Sequence, residues 1–491
     1  MIATLLLVPF FCGVIAFFTR RKATRLALLL GGAGIHSAIT VFAWEKTPEP
    51  VSGAWLALDS TGLLFLSITS FLFFLIAIYE IGYLKEISNH ENGDNAGNHS
   101  LPISPEGVFI GCQLLFLSAM TLVILSQHFG LIWVAIEATT LASAPLIYFH
   151  RNSHSLEATW KYLLICSIGI ALALLGIFFL SISAFSPRDS SISLVFQDLI
   201  ANADKLDSKW LKAAFILIVV GYGTKMGLAP LHTWLPDAHS ESPSVISAML
   251  SGVLLNCAFL GIFRFYEVCV KSGLFAFANE ILILFGLASL IVAAVFIIGQ
   301  SNFKRLLAYS SVEHMGLLAL GIGLGGTGVY GSMLHAVNHS VTKAMLFLMS
   351  GVILSIYQSK KVADVRGIFS VSQWIGLLWI AGFLSIAGSP PFGVFVSEFT
   401  IIKTAFDNGK TLVGIIALAM LGVIFIGMAS IFIKMSTGVP RSEDENIKLS
   451  KLCPTMVLTP TALLLISLTL GFYIPSPLNN LLLKISRITT F

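Results

Sequence analysis

Charged side chains are scarce in this chain. Asp, Glu, Lys and Arg make up 11% of its 491 residues, less than half of the roughly 25% carried by a water-soluble domain. That is too few to cover a water-facing surface of this size. A soluble enzyme, a disordered protein and a nucleic-acid binder are thereby excluded. The net charge of +4 and pI of 8.6 also fall short of the strongly basic balance, with pI above about 9, of a nucleic-acid domain. Clustered cysteines are missing too. The six present are Cys12, Cys112, Cys166, Cys257, Cys269 and Cys453. None forms a C-x-x-C pair, so a disulfide framework or an iron–sulfur site has no ligand set. They read as small packing residues, and no redox centre is expected within this chain. The first run, MIATLLLVPFFCGVIAFF, has no basic residue before it; Arg20, Arg21, Lys22 and Arg25 follow it. A secretory leader has the opposite order, so a retained membrane helix is expected. The polar interruptions, 85–106 (containing HENGDNAGNHS), 183–209 and 437–454, are too short for a soluble domain.

What the chain does have is apolar length. It is 56% hydrophobic with a mean hydropathy of +0.89. Runs of about 20 apolar residues read as membrane helices. They lie near 2–18, 24–44, 60–84, 107–126, 128–149, 157–182, 210–230, 243–269, 278–300, 302–324, 327–355, 372–405, 411–436 and 455–474. The expected fold is an all-α membrane bundle of about fourteen spans. Its expected divisions are an N-terminal three-helix segment (1–106), two five-helix units (107–269 and 278–436) and a C-terminal helix with its tail (437–491).

Orientation follows the Lys/Arg content of alternate loops. One side carries fifteen, Arg20, Arg21, Lys22, Arg25, Lys85, Arg151, Lys304, Arg305, Lys360, Lys361, Arg366, Lys434, Arg441, Lys448 and Lys451. The other carries ten, Lys46, Arg188, Lys205, Lys209, Lys212, Arg264, Lys271, Lys410, Lys484 and Arg487. The bias places both termini on the outer face. Four lysines, Lys161, Lys225, Lys343 and Lys403, remain within or at the edge of spans. Each charge at mid-bilayer costs about 2.5–3.5 kcal/mol on insertion scales, so some of them must face a polar interior.

The ionisable residues fall in a pattern. The fifth span, LIWVAIEATTLASAPLI, holds Glu137 alone. Lone intramembrane carboxylates serve as proton relays or ion sites; a hydrogen-bonded helix–helix contact is the structural alternative. The seventh span, ILIVVGYGTKMGLAPLHTWLPDAHSESPS, sets Lys225 five residues before Pro230, among Gly221, Gly223 and Gly227. Proline removes a helical hydrogen bond, and a helix broken at mid-membrane beside a charge is a transport-site pattern. A lysine reaching out to the interface is the alternative. His232, Asp237 and His239 follow at the expected membrane edge, where they either order the loop or assist the site.

The tenth span holds Glu313 and His314. Neighbours in sequence point about 100° apart on a helix, so at most one of them lines a given path. In the eleventh, His335, His339 and Lys343 fall at i, i+4 and i+8, one stripe. The spacing would suit a metal, but no acid lies between them and no third ligand is near in sequence. A hydrogen-bonded proton relay fits better, since histidine exchanges protons near neutrality; satisfied core histidines are the alternative. The twelfth span is broken at Pro390 and Pro391, with Glu398 two turns on. The two broken spans lie five apart. An odd-numbered unit inverts its second copy, so two inverted five-helix repeats are expected.

Four segments together resemble the antiporter-like proton-translocating subunits of respiratory complex I, Mrp-type Na+/H+ antiporters and group 4 membrane-bound NiFe-hydrogenases. They are the stretch around Glu137, GYGTKMGLAPLHTWLPDAHSESPSVISAMLSGVLL, HAVNHSVTKAMLFLMSG and SPPFGVFVSEF. The likeness runs from about 107 to 436. FKRLLAYSSVEHMG and SGVLLNCAFLGIFRF resemble the hydrogenase-4 component F branch.

The resemblance implies that Glu137 and Lys225 form the central pair, that His335, His339 and Lys343 are the linker, and that Glu398 is the terminal carboxylate. One position departs. Asn256 stands where many members carry Lys or His, so the path is bridged there by water, or this branch uses Glu313 or His314 instead. The implied partners are other antiporter-like and anchor membrane subunits and a peripheral cytoplasmic redox module carrying Fe–S clusters and possibly NiFe. The implied setting is a prokaryotic inner membrane. The rival expectations are an Mrp-like Na+/H+ antiporter subunit, or a hydrogenase anchor that moves no ions.

Overall fold

In lipid every backbone N–H and C=O must be satisfied within the protein, which leaves helices as the spanning form for this sequence. The computed structural model describes residues 1–46, 53–91, 105–185, 192–439 and 453–488. These form α1 (Ile2–Phe18), α2 (Lys22–Glu45), α3 (Ser60–Glu91), α4 (Pro105–Leu125), α5 (Phe129–Ile147) and α6 (Ser153–Ser183). A short α7 (Phe196–Ala201) precedes α8 (Ser208–Met226) and α9 (Trp234–Glu241). Then α10 (Ser244–Met249) passes through a π-helical turn at Leu250–Leu254 into α11 (Leu255–Lys271). Next come α12 (Phe275–Ile297), α13 (Phe303–Leu324), α14 (Thr327–Tyr357), α15 (Ile368–Val371), α16 (Gln373–Ile386) and α17 (Gly393–Asp407). The chain ends in α18 (Thr411–Ser436), α19 (Pro454–Phe472) and α20 (Ser476–Ile488).

Among the described residues, 11 helical stretches are long and apolar enough to cross a membrane. The first and twelfth expected spans are shorter apolar helices, Ile2–Phe18 and Gln373–Ile386. The seventh is α8, 19 residues long. The expected polar interruption at 85–106 is partly helical, because α3 runs on to Glu91. Residues 92–104, 186–191 and 440–452 lie outside the described residues, and with them Arg188, Arg441, Lys448 and Lys451 of the orientation count.

The bundle sorts its helices by polarity. Nearly every residue of α13 is buried by protein, although it carries Ser310, Ser311, Glu313 and His314. On α18, by contrast, Leu412, Ile415, Leu418 and Ile426 are exposed, as a lipid-facing helix requires. A charge is costly only against hydrocarbon, so polar helices sit at the centre.

Two local features position the site. First, α6 and α8 touch backbone to backbone: a Cβ on Gly221 would lie 2.6 Å from the carbonyl of Gly169 and the amide of Ala173. Only small residues permit that approach, and it brings Lys225, one turn further along α8, against α6. Second, both expected breaks are present. α8 ends at Gly227 (φ 85°), and α16 and α17 are separated by a turn holding Gly388 (φ 61°), Pro390 and Pro391. Left-handed backbone of this kind favours glycine, which has no Cβ to clash.

Two of the four intramembrane lysines are not interior. Lys161 pairs with Glu157 at 2.6 Å and Asp237 at 3.0 Å, and Lys403 with Asp407 at 2.5 Å, both lysines being half-exposed. An i, i+4 carboxylate satisfies each at the rim. Conversely, two bases assigned to loops are fully enclosed. Lys304 donates to the Ser242 carbonyl at 2.5 Å, and Arg264 donates to the Ser126 and Ile124 carbonyls and pairs with Asp59 at 3.2 Å. Tertiary packing over the helix ends, invisible in a hydropathy count, covers both.

Candidate functional site

Lys225 is fully buried near the end of α8. Its Nζ donates to Tyr162 Oη at 2.5 Å and Thr140 Oγ1 at 2.9 Å, and Tyr162 in turn shares a 2.6 Å hydrogen bond with Ser143. The ammonium also lies 4.4 Å from the centre of the Tyr162 ring and 6.0 Å from that of Trp234, a cation–π setting. Trp234 is itself fixed by a 2.8 Å bond to the Thr224 carbonyl. Glu137 is one helical turn from Thr140 on α5. It accepts a weak 3.4 Å bond from Ser167, and its Oε2 is buried without a hydrogen-bond partner.

Glu137 and Lys225, the expected central pair, are not hydrogen-bonded to each other; neutral hydroxyls hold the lysine. The close α6–α8 approach puts Tyr162 in reach first.

Asn256 on α11 is buried against α14. Its amide donates to the Gly252 carbonyl at 3.0 Å and to Ser340 at 2.7 Å, while its Oδ1 has no partner. The π-helical turn just before it includes Ser251, bonded to Ser311 of α13 at 2.8 Å. One turn along α14 from Ser340, Lys343 donates to the Leu307 carbonyl at 2.6 Å and to Ser310. Glu313, buried on α13, has its Oε2 unpartnered.

At the far end three helices bring ionisable groups together. His314 Nδ1 of α13 lies 2.9 Å from His335 Nε2 of α14, and 3.8 Å from Glu398 Oε1 of α17. His335 Nδ1 bonds Ser397 at 3.0 Å. The His339 ring centre is 4.9 Å from that of His314 and 6.4 Å from that of His335, and neither of its nitrogens is bonded. A ligand atom from each of His314, His335 and Glu398 falls within 4.8 Å of the other two. This corrects the expectation that the α14 histidines lack further ligands nearby. Two other helices supply them: His314 from α13, 21 residues upstream of His335, and Glu398 from α17.

The chain matches the family described as NADH:quinone oxidoreductase/Mrp antiporter, TM, over residues 126–428. That span holds every residue of the site.

The chain belongs to this family.

Among curated relatives of this antiporter-family chain, a hydrogenase-4 component F homolog of Methylacidiphilum infernorum is 36% identical over 437 residues, covering 88% of this chain and 87% of that protein. Hydrogenase-4 component B of Escherichia coli is 26% identical over 467 residues, and the match spans 90% of this chain but 66% of that longer protein. The fold is shared with a chain of an archaeal membrane-bound sulfane sulfur reductase (TM-score 0.83, 21% identity, 99% and 96% of the two chains covered). It is also shared with a chain of the Mrp complex of Dietzia sp. (TM-score 0.82, 19% identity, 99% and 96% covered). A chain of Thermus thermophilus complex I matches at a TM-score of 0.80 and 21% identity, each chain fully covered.

Not every singled-out residue of the family member reaches the buried line. Asp237 pairs at the rim with Lys161 and with Arg305 at 2.7 Å, beside a polar pocket of about 300 Å3 that also takes in His154 and Glu241. His232 packs against Phe296 and Tyr309. Sequence reasoning had set Glu313 or His314 as alternatives to Asn256; His314 joins the histidine cluster instead.

Several buried groups were missed. Glu80 on α3 is fully enclosed beside the bundle core; the signal is the same lone acid in an apolar run that marks Glu137. His239, expected at the membrane edge, is instead fully buried and stacks at 5.0 Å on Phe347, one turn beyond Lys343. Tyr162, Thr140, Ser310 and Ser397 carry no sequence signal, because hydroxyls are ordinary in membrane helices.

Proposed function

We propose that this chain is the proton-translocating membrane subunit of a redox-driven complex of the hydrogenase-4 or complex I kind. Protons move along Glu137, Lys225, Asn256, Lys343, His339, His335, His314 and Glu398, driven by electron transfer in partner subunits. One observation carries the reading: the buried ionisable groups Lys225, Lys343, Glu313, His314, His335, His339 and Glu398 are gathered onto facing sides of α8, α13, α14 and α17, with Thr140 of α5 and Asn256 of α11 hydrogen-bonded among them. Relatives that bear the hydrogenase-4 name support the assembly type.

Physically, the line must hold protons without trapping them. An ion pair at about 4 Å is worth about 4 kcal/mol at an effective dielectric of about 20. Lys225 rests on hydroxyls, so no such contact has to be broken before its proton leaves. The unpartnered Asn256 Oδ1 and the two free His339 nitrogens are polar atoms that bound water can serve. An amide cannot itself take up a proton near neutrality, so Asn256 positions a water-borne transfer. Each proton moved against 100 mV needs about 2.3 kcal/mol. The energy comes from a peripheral cytoplasmic module that carries Fe–S clusters and, in a hydrogenase-type assembly, NiFe.

The architecture that goes with this reading has fourteen spans in a prokaryotic inner membrane, both termini outside, with five-helix units at 107–269 and 278–436 related by inversion. The parallel breaks after Met226 and Ile386 support it. So does the equivalent placing of one charge near each break, Lys225 and Glu398. The test is Lys225→Ala in the assembled complex, with proton uptake followed in sealed vesicles. Loss of translocation with assembly intact is expected. Undiminished translocation in a correctly assembled variant refutes the reading.

A further inference from the structure

We propose that His314, His335 and Glu398 form a binding site for a zinc-class divalent ion, and that its occupancy blocks the distal end of the proton path.

Zinc binds imidazole nitrogen at about 2.0–2.1 Å and carboxylate oxygen at about 2.0–2.2 Å, in tetrahedral geometry. Two legs of that length at the tetrahedral angle put neighbouring ligand atoms about 3.3 Å apart. The observed separations from His314 Nδ1, 2.9 Å to His335 Nε2 and 3.8 Å to Glu398 Oε1, bracket that value. The third separation, between His335 and Glu398, is within 4.8 Å, so closing on an ion draws the carboxylate toward the two rings.

The chemistry of the set is selective. Two imidazoles and one carboxylate suit zinc and its first-row neighbours. Magnesium, calcium and sodium want several oxygens and find one residue that offers them. The surroundings are also those of a built site. Glu398 Oε1 is buried without a hydrogen-bond partner. His335 is oriented by its other nitrogen, which bonds Ser397 at 3.0 Å, the outer contact that metal-bound histidines usually make. His339, with both nitrogens free, stands beside the open fourth position. Gly388 leaves room for the Glu398 carboxylate, since a Cβ there would overlap Glu398 Oε2.

Occupancy and proton transfer exclude each other. The ion takes the place of the hydrogen now shared by the two rings, and each neutral ring then carries its hydrogen on the nitrogen turned away from the ion. A relay whose mobile hydrogen is replaced by a fixed cation pinning α13, α14 and α17 cannot pass protons on. The inhibition rests on the proton reading given above; the binding does not.

The test uses the purified native complex in lipid nanodiscs with and without zinc chloride. A density map with saturating zinc is expected to show a peak between His314 Nδ1 and His335 Nε2. Equilibrium dialysis is expected to show one zinc more in native complex than in His335→Ala, and about 10–100-fold weaker binding in Ser397→Ala, the usual loss when an outer-shell partner is removed. No peak at that position, or unchanged binding in both variants, overturns the site. The native map decides even if His335→Ala does not assemble. A zinc peak with undiminished proton uptake upholds the site and overturns the blocking claim, which points to failure of the proton reading. Absence of the peak where Lys225→Ala abolishes uptake overturns the site alone.

Discussion

The carboxylate of Glu398 occupies the space that a side chain on Gly388 would fill. A Cβ built at Gly388 overlaps Glu398 Oε2, and the glycine sits at φ 61° in the turn between α16 and α17. The acid's position is therefore set by the absence of an atom on the break ten residues earlier. Gly388→Ala meets two costs, about 1–2 kcal/mol for left-handed backbone and displacement of the carboxylate from His314. The expected outcome is proton uptake lowered at least about 10-fold, the effect of about 1.4 kcal/mol on a rate. Glu398→Asp in the same chain, one methylene shorter, is expected to recover the part of the thermal stability lost to the overlap, but not the backbone cost, and not uptake. Thermal unfolding in detergent and vesicle uptake assays read the two effects separately.

Tyr162 and Thr140 are expected to matter through Lys225. Tyr162→Phe removes a hydroxyl that both receives from Lys225 and bonds Ser143. A buried charged donor left with one partner costs about 1–3 kcal/mol. Tyr162→Phe and Thr140→Val are each expected to reduce uptake partially, and the double variant to approach Lys225→Ala. Wild-type uptake in the double variant, measured at equal assembly, would show that the hydroxyls are mere packing.

Asn256 tests whether the link between Lys225 and Lys343 needs a polar group or an ionisable one. Asn256→Leu removes the donor to Ser340 and dries the gap, so uptake is expected to fall at least about 10-fold. Asn256→His keeps a hydrogen-bonding side chain that can itself carry a proton, and uptake is expected to remain. Equal loss in both would mean that the position serves shape alone.

At the rim, pH sensitivity is expected from Glu241. Its half-burial works to raise the carboxyl, but the Lys360 ammonium at 3.0 Å, the Ser240 hydroxyl and Lys304 outweigh that and hold it below its ordinary value. A depressed carboxyl contributes stability above its unfolded-state value of about 4.3, and that contribution is lost as pH falls through the lower folded value. The pair is part-exposed, so the contribution is about 0–1 kcal/mol. Lys360→Ala is expected to lower the melting temperature slightly at pH 7 and not at a pH low enough to protonate Glu241. A shift of equal size at both pH values would assign the effect to packing.

Hydropathy and spacing determined much of this protein. The apolar runs carry their own helices, because in lipid the backbone has no other solvent. The lone Glu137, the α14 stripe, and the proline breaks after Lys225 and before Glu398 stand out because charge and helix interruption are costly there. Partnership lay beyond the sequence. The sequence put Lys225 beside Glu137, but glycines that let α6 and α8 touch bring Tyr162 to it, and on α5 it meets Thr140. It found no further ligand near His335, yet folding brings His314 and Glu398 to it from two other helices. It counted Lys304 and Arg264 as loop charges, and packing over helix ends encloses both. A helix's existence and its polar stripe are local properties of composition and period. Which stripe meets which is decided by side-chain volumes at helix contacts, and those are fixed only when the whole bundle is assembled.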